Sequence, residues 1–121
     1  MRPDDALLLD MLLAARKARR FVAGMTFGDF MGNELVQSGV LHELQIIGQA
    51  ARMVSPETKA THPTIDWPQM IGMRNRLTHE YFAVRLDVVW QTVQADIPPL
   101  ITQLEQYVPP EQDGGVKPDN P

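Results

Sequence analysis

The 121 residues contain no cysteine. That excludes a disulfide framework and a thiolate metal site. Long apolar runs are also missing. The stretch Ala6 to Leu13 is interrupted by Asp10 and preceded by Asp4 and Asp5. A signal peptide would start basic, and a membrane span would need about 20 apolar residues. A soluble, cytoplasmic chain without membrane contact is therefore expected. No run of alternating β-branched residues marks a strand. No glycine loop is placed to cradle a phosphate, since Gly114-Gly115 lies in an acidic tail, and no serine sits in a nucleophile elbow. The three histidines, His42, His62 and His79, lack metal-ligand spacing, and neither His42 nor His79 has a second histidine four residues on. No metal and no cofactor are expected.

What is present suits one domain. Hydrophobic residues make up 44% of the chain, enough for a single packed core at this length. The net charge is −4, which argues against strong sequence-independent binding to nucleic acid. Its distribution is uneven. Residues 105 to 121 carry a balance of −3 and the remaining chain −1, with a basic cluster at Arg16, Lys17, Arg19 and Arg20. Such clusters matter more to a site than the total does.

Helical periodicity dominates. Leu8, Met11, Leu12, Ala15, Ala18 and Val22 recur at spacings of three and four and predict an amphipathic helix from about Pro3 to Ala23. Asp4 and Asp5 complement its N-terminal dipole, Arg19 and Arg20 its C-terminus, and Gly24 is a stop. Thr26 caps a short segment from Phe27 to Met31, with Asp29 as an imperfect capping-box partner. Gly32 and Asn33 break or bend the chain. A third helix spans Glu34 to Val54, with Val36, Val40, Leu44, Ile47, Ala51 and Val54 on one face. Leu35, Ile46 and Met53 share a second face, so this helix is expected in the middle of a bundle or in a dimer. Gly39 and Gly48 lie inside it and point to close packing. His42 reads as a solvated or interface histidine, and His62 as a loop residue. Ser55-Pro56-Glu57 starts a helix of one or two turns. Asp66 caps a fourth long helix running to about His79. Leu86, Val89, Trp90, Val93 and Ile97 mark a fifth, which Pro98-Pro99 must kink or divide. The expected fold is all-α: an up-and-down bundle of four to five helices over residues 1–108, followed by a disordered acidic, Pro-rich tail at 109–121.

The densest chemistry is Arg74-Asn75-Arg76-Leu77-Thr78-His79-Glu80-Tyr81. Arginine offers a rigid fork of donors to phosphate oxygens. Histidine is the side chain that moves a proton near pH 7. Five residues amount to about 140° of helix rotation, so Arg74 and His79 do not share a stripe of an unbroken helix. Either the helix ends before His79, or the long Arg74 side chain reaches round, or two subunits combine their motifs.

The stretch Ile71 to Phe82 resembles the Arg-x4-His-x-Tyr signature of HepT-like ribonuclease toxins of the HEPN superfamily. Asn33-Glu34-Leu35-Val36-Gln37, Ile46-Ile47-Gly48-Gln49-Ala50-Ala51, Asp87-Val88-Val89-Trp90 and Ile97-Pro98-Pro99-Leu100 are also similar to family positions. The resemblance spans roughly residues 4 to 107, with one departure at Gln49, where the family often has Glu. It implies a HEPN-like bundle that dimerises with two Arg/His motifs facing a shared cleft. It implies the toxin subunit of a type VII-like toxin–antitoxin pair, an endoribonuclease that cuts RNA without metal by attack of a ribose 2′-OH. Its partner would be a minimal nucleotidyltransferase antitoxin of the MntA type. In these terms Arg74 and His79 are catalytic, Asn75 is supporting, and Tyr81 is an adenylylation target or an RNA contact. The competing reading is a non-catalytic helical dimerising partner or regulator of a nucleotidyltransferase.

The tail offers no apolar face to bury. Deleting residues 110–121 should leave the melting temperature within about a degree of the full chain and slightly strengthen non-specific RNA binding. A thermal melt and a filter-binding assay check this; a fall of several degrees would mean the tail is docked.

Overall fold

The computed structural model describes residues 3–79 and 84–108. The tail and Tyr81 lie outside the described residues. The helices are α1 (Pro3–Phe21), α2 (Phe27–Met31), α3 (Glu34–Met53), α4 (Pro56–Thr61), α5 (Trp67–His79), α6 (Leu86–Gln91) and α7 (Ile97–Tyr107), with a π-helical turn at Thr92–Asp96 joining the last two. Four long rods form the bundle: α1, α3, α5 and the α6–π–α7 run. The helix α3 packs against both α1 and α5, and α1 packs against α7. The all-helical bundle expected from the periodicity is what is found.

Local signals fix the ends. The helix α1 stops at Phe21, and Gly24 turns the chain at φ +76°, a conformation that favours glycine. The capping box at α2 is complete. The Asp29 amide donates to Thr26 Oγ1 and the Thr26 amide to Asp29 Oδ2, both at 3.0 Å. Asn33, expected only as a break, is the N-cap of α3, its Oδ1 accepting from the Val36 amide at 3.0 Å. Asp66 caps α5 through the Gln69 amide. Asp4 does more than meet a dipole. It accepts hydrogen bonds from Ser55 Oγ, Thr58 Oγ1 and the Ser55 amide. That ties the start of α1 to the chain just after α3, so the two run antiparallel.

The double proline divides the last rod without breaking it. The Ile97 amide bonds to Thr92 O, five residues back, so the ladder widens one step before Pro98 and Pro99, whose rings would clash with a tight α-turn. A proline has no N–H, so Val93 O loses its ladder donor. Arg19 from α1 supplies one: Nη1 lies 3.3 Å from Val93 O and 3.0 Å from Gln94 Oε1. Arg16 pairs with Glu105 on α7 at 2.8 Å. Much of the basic cluster of α1 thus serves to hold α1 to the last rod.

The core stripe of α1 (Leu8, Met11, Leu12, Ala15, Ala18, Val22) meets Val40, Leu44, Ile47, Ala51 and Val54 of α3. Phe30 is fully buried and lies 5.3 Å, ring to ring, from Trp90. The second apolar face of α3 is another matter. Leu35 is 83% exposed and Met53 58%, so the bundle of one chain leaves that face open.

Both interior glycines of α3 are spent on close packing within the chain. A Cβ on Gly39 would lie 3.0 Å from the Phe21 ring; a Cβ on Gly48 would overlap Arg74 Cβ and lie 2.7 Å from Met70 O. Phe21 is a surface ring that can turn aside, whereas Met70 O is backbone. Gly48→Ala should therefore destabilise by roughly 1–3 kcal/mol through overpacking, although alanine is the better helix former by about 1 kcal/mol. Gly39→Ala should lie near neutral. Arg19→Met should cost about 1–3 kcal/mol by orphaning Val93 O. Chemical denaturation of the three variants checks the order; a neutral Gly48→Ala would mean that α3 and α5 can part.

Candidate functional site

The helix α5 is oriented by its buried residues. Trp67 is anchored at the first turn, its Nε1 donating to His62 O at 3.1 Å, and Met73 and Leu77 point into the core. Arg74 follows Met73, so it leaves the core at the edge facing α3. Gly48 lets it lie there, because Arg74 Cβ occupies the space a side chain on Gly48 would take. Arg74 is half-buried, and its Nη1 donates to Asn75 Oδ1 at 3.2 Å. It forms no ion pair among the described residues.

The guanidinium borders an open groove of about 450 Å³. Leu7 and Asp10 of α1 line one wall, Arg74 and Thr78 of α5 the other. The floor is the outward face of α3: His42, Gln45, Ile46, Gln49, Ala50 and Met53. Spacings of three and four place these on one helical stripe. Gln49 stands out, since its Oε1 is buried without a hydrogen-bond partner while its Nε2 has only Met53 Sδ, at 3.7 Å. A second groove, sharing Asp10 and Ile46 with the first, continues between α1 and α3 past Lys17, Glu43 and Arg20. Glu43 is 3% exposed, and its Oε2 lies 3.9 Å from Lys17 Nζ. The buried carboxylate draws Lys17 to the groove's edge.

His79 is exposed and is the last residue of α5. The helix does not end before it, so that way of uniting Arg74 with His79 is excluded. The pair stays about 140° and 7.5 Å of helical rise apart, and His79 does not line the Arg74 groove. Arg74 and Asn75 are brought together by a hydrogen bond. His42, read from sequence as a solvated or interface histidine, is exposed and shares the Arg74 groove. His62 closes α4 and stacks on Tyr107, ring centres 3.8 Å apart. The sequence marks Gln49 only as a departure from the resembled family and Asp10 only as a break in an apolar run, and it gives no sign of Gln45; the stripe of Leu35, Ile46 and Met53 holds the signal, because these polar residues share its side of the groove. Among the described residues no three His, Asp or Glu side chains converge as a metal cluster, and no helix is long and apolar enough to cross a membrane.

The sequence of residues 11–107 matches the family model described as Ribonuclease HepT-like. The chain belongs to the HepT-like ribonuclease family. It is 30% identical over 104 residues to the Methanocaldococcus jannaschii protein named “Putative RNase MJ1380”, covering 86% of this chain and 95% of that one. It is 36% identical over 99 residues to “Probable ribonuclease HepT” of Thermococcus cleftensis, covering 82% and 90%. No solved structure is a significant match. In this HepT-like chain Arg74 thus stands half-buried on a groove with no ion pair among the described residues, and His79 is the last residue of the same helix.

Proposed function

We propose that this chain is an endoribonuclease that cuts RNA without metal, acting as the toxin of a toxin–antitoxin pair. The observation that carries the reading is the Arg74-x4-His79 pair on the exposed end of α5, in a chain of the HepT-like family. In the reaction His79 accepts the proton of a ribose 2′-OH. The 2′-oxygen bonds to the adjacent phosphorus, the bond from phosphorus to the 5′-oxygen breaks, and that oxygen takes up a proton. The products are a 2′,3′-cyclic phosphate and a 5′-hydroxyl. Arg74, whose donors are free of any carboxylate among the described residues, stabilises the charge on the pentacoordinate phosphorus. Asn75 orients the Arg74 fork through its 3.2 Å hydrogen bond.

The rotation between Arg74 and His79 favours a site assembled from two chains. Phe27, Met31 and Leu35, exposed around the α2–α3 junction, are the apolar surface for that contact. Sedimentation should give twice the 13.6 kDa chain mass. The partner in regulation is a nucleotidyltransferase antitoxin. It would join the Tyr81 hydroxyl to the α-phosphate of ATP and release pyrophosphate, setting a negative charge beside Arg74's substrate. A second reading, a non-catalytic dimerising partner of that nucleotidyltransferase, is favoured by the commitment of Arg16 and Arg19 to internal contacts.

His79→Ala should lower cleavage on the order of 10²–10⁴-fold with the fold retained. Arg74→Lys should also impair it, because a point charge does not replace a planar fork, and a chelator should have no effect. Mixing Arg74→Ala with His79→Ala chains should restore roughly a quarter of wild-type activity if each site takes one residue from each chain of a two-fold dimer. Full cleavage by His79→Ala would remove His79 from the chemistry, and no cleavage by the pure wild-type chain would favour the non-catalytic reading. Co-expression with the nucleotidyltransferase should add mass to the peptide containing Tyr81, and Tyr81→Phe should abolish that gain.

A further inference from the structure

We infer that the α1–α3–α5 groove holds one nucleotide of single-stranded RNA beside the phosphate bound by Arg74, and that Gln49 reads the edge of its base. The inference rests on the ribonuclease reading and assigns that site a sequence preference.

Four observations carry it. First, the Gln49 amide is uncommitted. Its Oε1 is buried with no donor, and its Nε2 meets only a thioether, a weak acceptor. A buried carbonyl left alone is costly, and a donor arriving with a ligand relieves that cost. Second, the amide carries a donor beside an acceptor, and a turn of the side chain into the groove brings both to a ligand. That pair complements a base edge bearing an acceptor beside a donor, as glutamine does with adenine N6 and N7 in nucleic-acid grooves. Unpaired RNA exposes such edges, and sequence-specific proteins read them there.

Third, the groove supplies a face as well as an edge. Leu7, Ile46 and Met53 line it, and Met53 Sδ touches the Gln49 amide. A polarisable thioether beside the reading group suits the flat face of an aromatic base. Fourth, the position is fixed. Gln49 follows Gly48, whose missing side chain is where Arg74 Cβ sits. The base-reading amide and the phosphate-binding fork are therefore held in one corner by a contact that cannot slide. Beyond this corner the trough runs between α1 and α3 past Lys17 and Arg20. Those two cations extend the path for the RNA backbone in a chain whose overall charge is unfavourable.

The test is a randomised single-stranded RNA oligonucleotide, cleaved by the full-length protein and sequenced at the new 5′ ends. The wild type should favour one base at one position next to the cut by roughly five- to a hundred-fold, the range of a good two-bond base contact. Gln49→Ala should bring the four bases at that position to near parity. Gln49→Glu should change the preference, because a carboxylate lacks the donor, and should raise KM more than it lowers kcat, because the carboxylate competes for Arg74. A parallel arm measures fluorescence anisotropy with the four homopolymeric tetranucleotides, so it does not depend on cleavage. If the wild type binds one of them preferentially but cuts nothing, the ribonuclease reading fails and the role of Gln49 stands or falls on its variants. An unchanged base preference in folded Gln49→Ala, or no preference in the wild type, overturns the inference.

Discussion

The distance between α3 and α5 governs the rest of this molecule, and one missing side chain sets it. Helix axes ordinarily pack 8–10 Å apart, the value depending on the residues at the contact. At Gly48 the side chain is a hydrogen atom, so Arg74 Cβ and the Met70 carbonyl come down onto the α3 backbone. Glycine inside a helix is unfavourable by about 1 kcal/mol against alanine, and here that cost is offset by a contact no other residue permits. The consequence is directional. Arg74 begins its side chain against α3, and its guanidinium extends over the polar stripe of that helix rather than into bulk water. A larger residue at 48 would push α5 outward, and the groove that Arg74 shares with His42 and Gln49 would lose its shape.

A chain of net charge −4 would have to meet an anion by arrangement, not by total charge. The cations of α1 illustrate the division of labour. Arg16 is committed to Glu105, and Arg19 repairs a carbonyl that a proline stripped of its donor. Lys17 hangs over the nearly buried Glu43 and stays at the mouth of the trough. Arg74 has no carboxylate partner among the described residues, although Asp10 lies across the groove. An arginine locked in an ion pair would have to break it before binding phosphate. Arg74 has only a neutral amide to release.

Features encoded over a few adjacent residues were legible. The stripes of α1 and α3, the caps at Thr26 and Asp66, and the break at Pro98-Pro99 each arise from local chemistry that a period or a capping side chain reveals. The form of the proline break was not legible, because the donor that satisfies the freed Val93 carbonyl comes from Arg19, seventy-four residues away. Gly48 was read as a close approach, but its partner depended on how α5 docks. The groove was least visible. It is built from α1, α3 and α5, and its α3 floor lies on the stripe read for its apolar members alone. His42 looked inert because it was judged against its own helix, and Gln49 looked like a lost charge. Beside Arg74 an amide differs from a carboxylate in leaving the cation uncompensated and in carrying a donor.

The geometry of α5 also bears on how a reaction at Arg74 and His79 could be controlled. An unbroken helix separates the two by about 140°, and α5 is helical through His79. No change of side-chain rotamer removes that rotation; a long arginine only shortens the path around it. If the reaction is completed across two chains, activity depends on assembly, and whatever holds the chains apart or fills the space between them silences both sites at once. Leu35, Phe27 and Met31, exposed in the single chain, would then carry a functional load as well as an apolar one, since burying them would drive the pairing. Tyr81 stands two residues beyond His79 in sequence, so modification there and control of assembly would be two routes to the same silencing. The Arg74 side of such a site comes back to the bare backbone at Gly48.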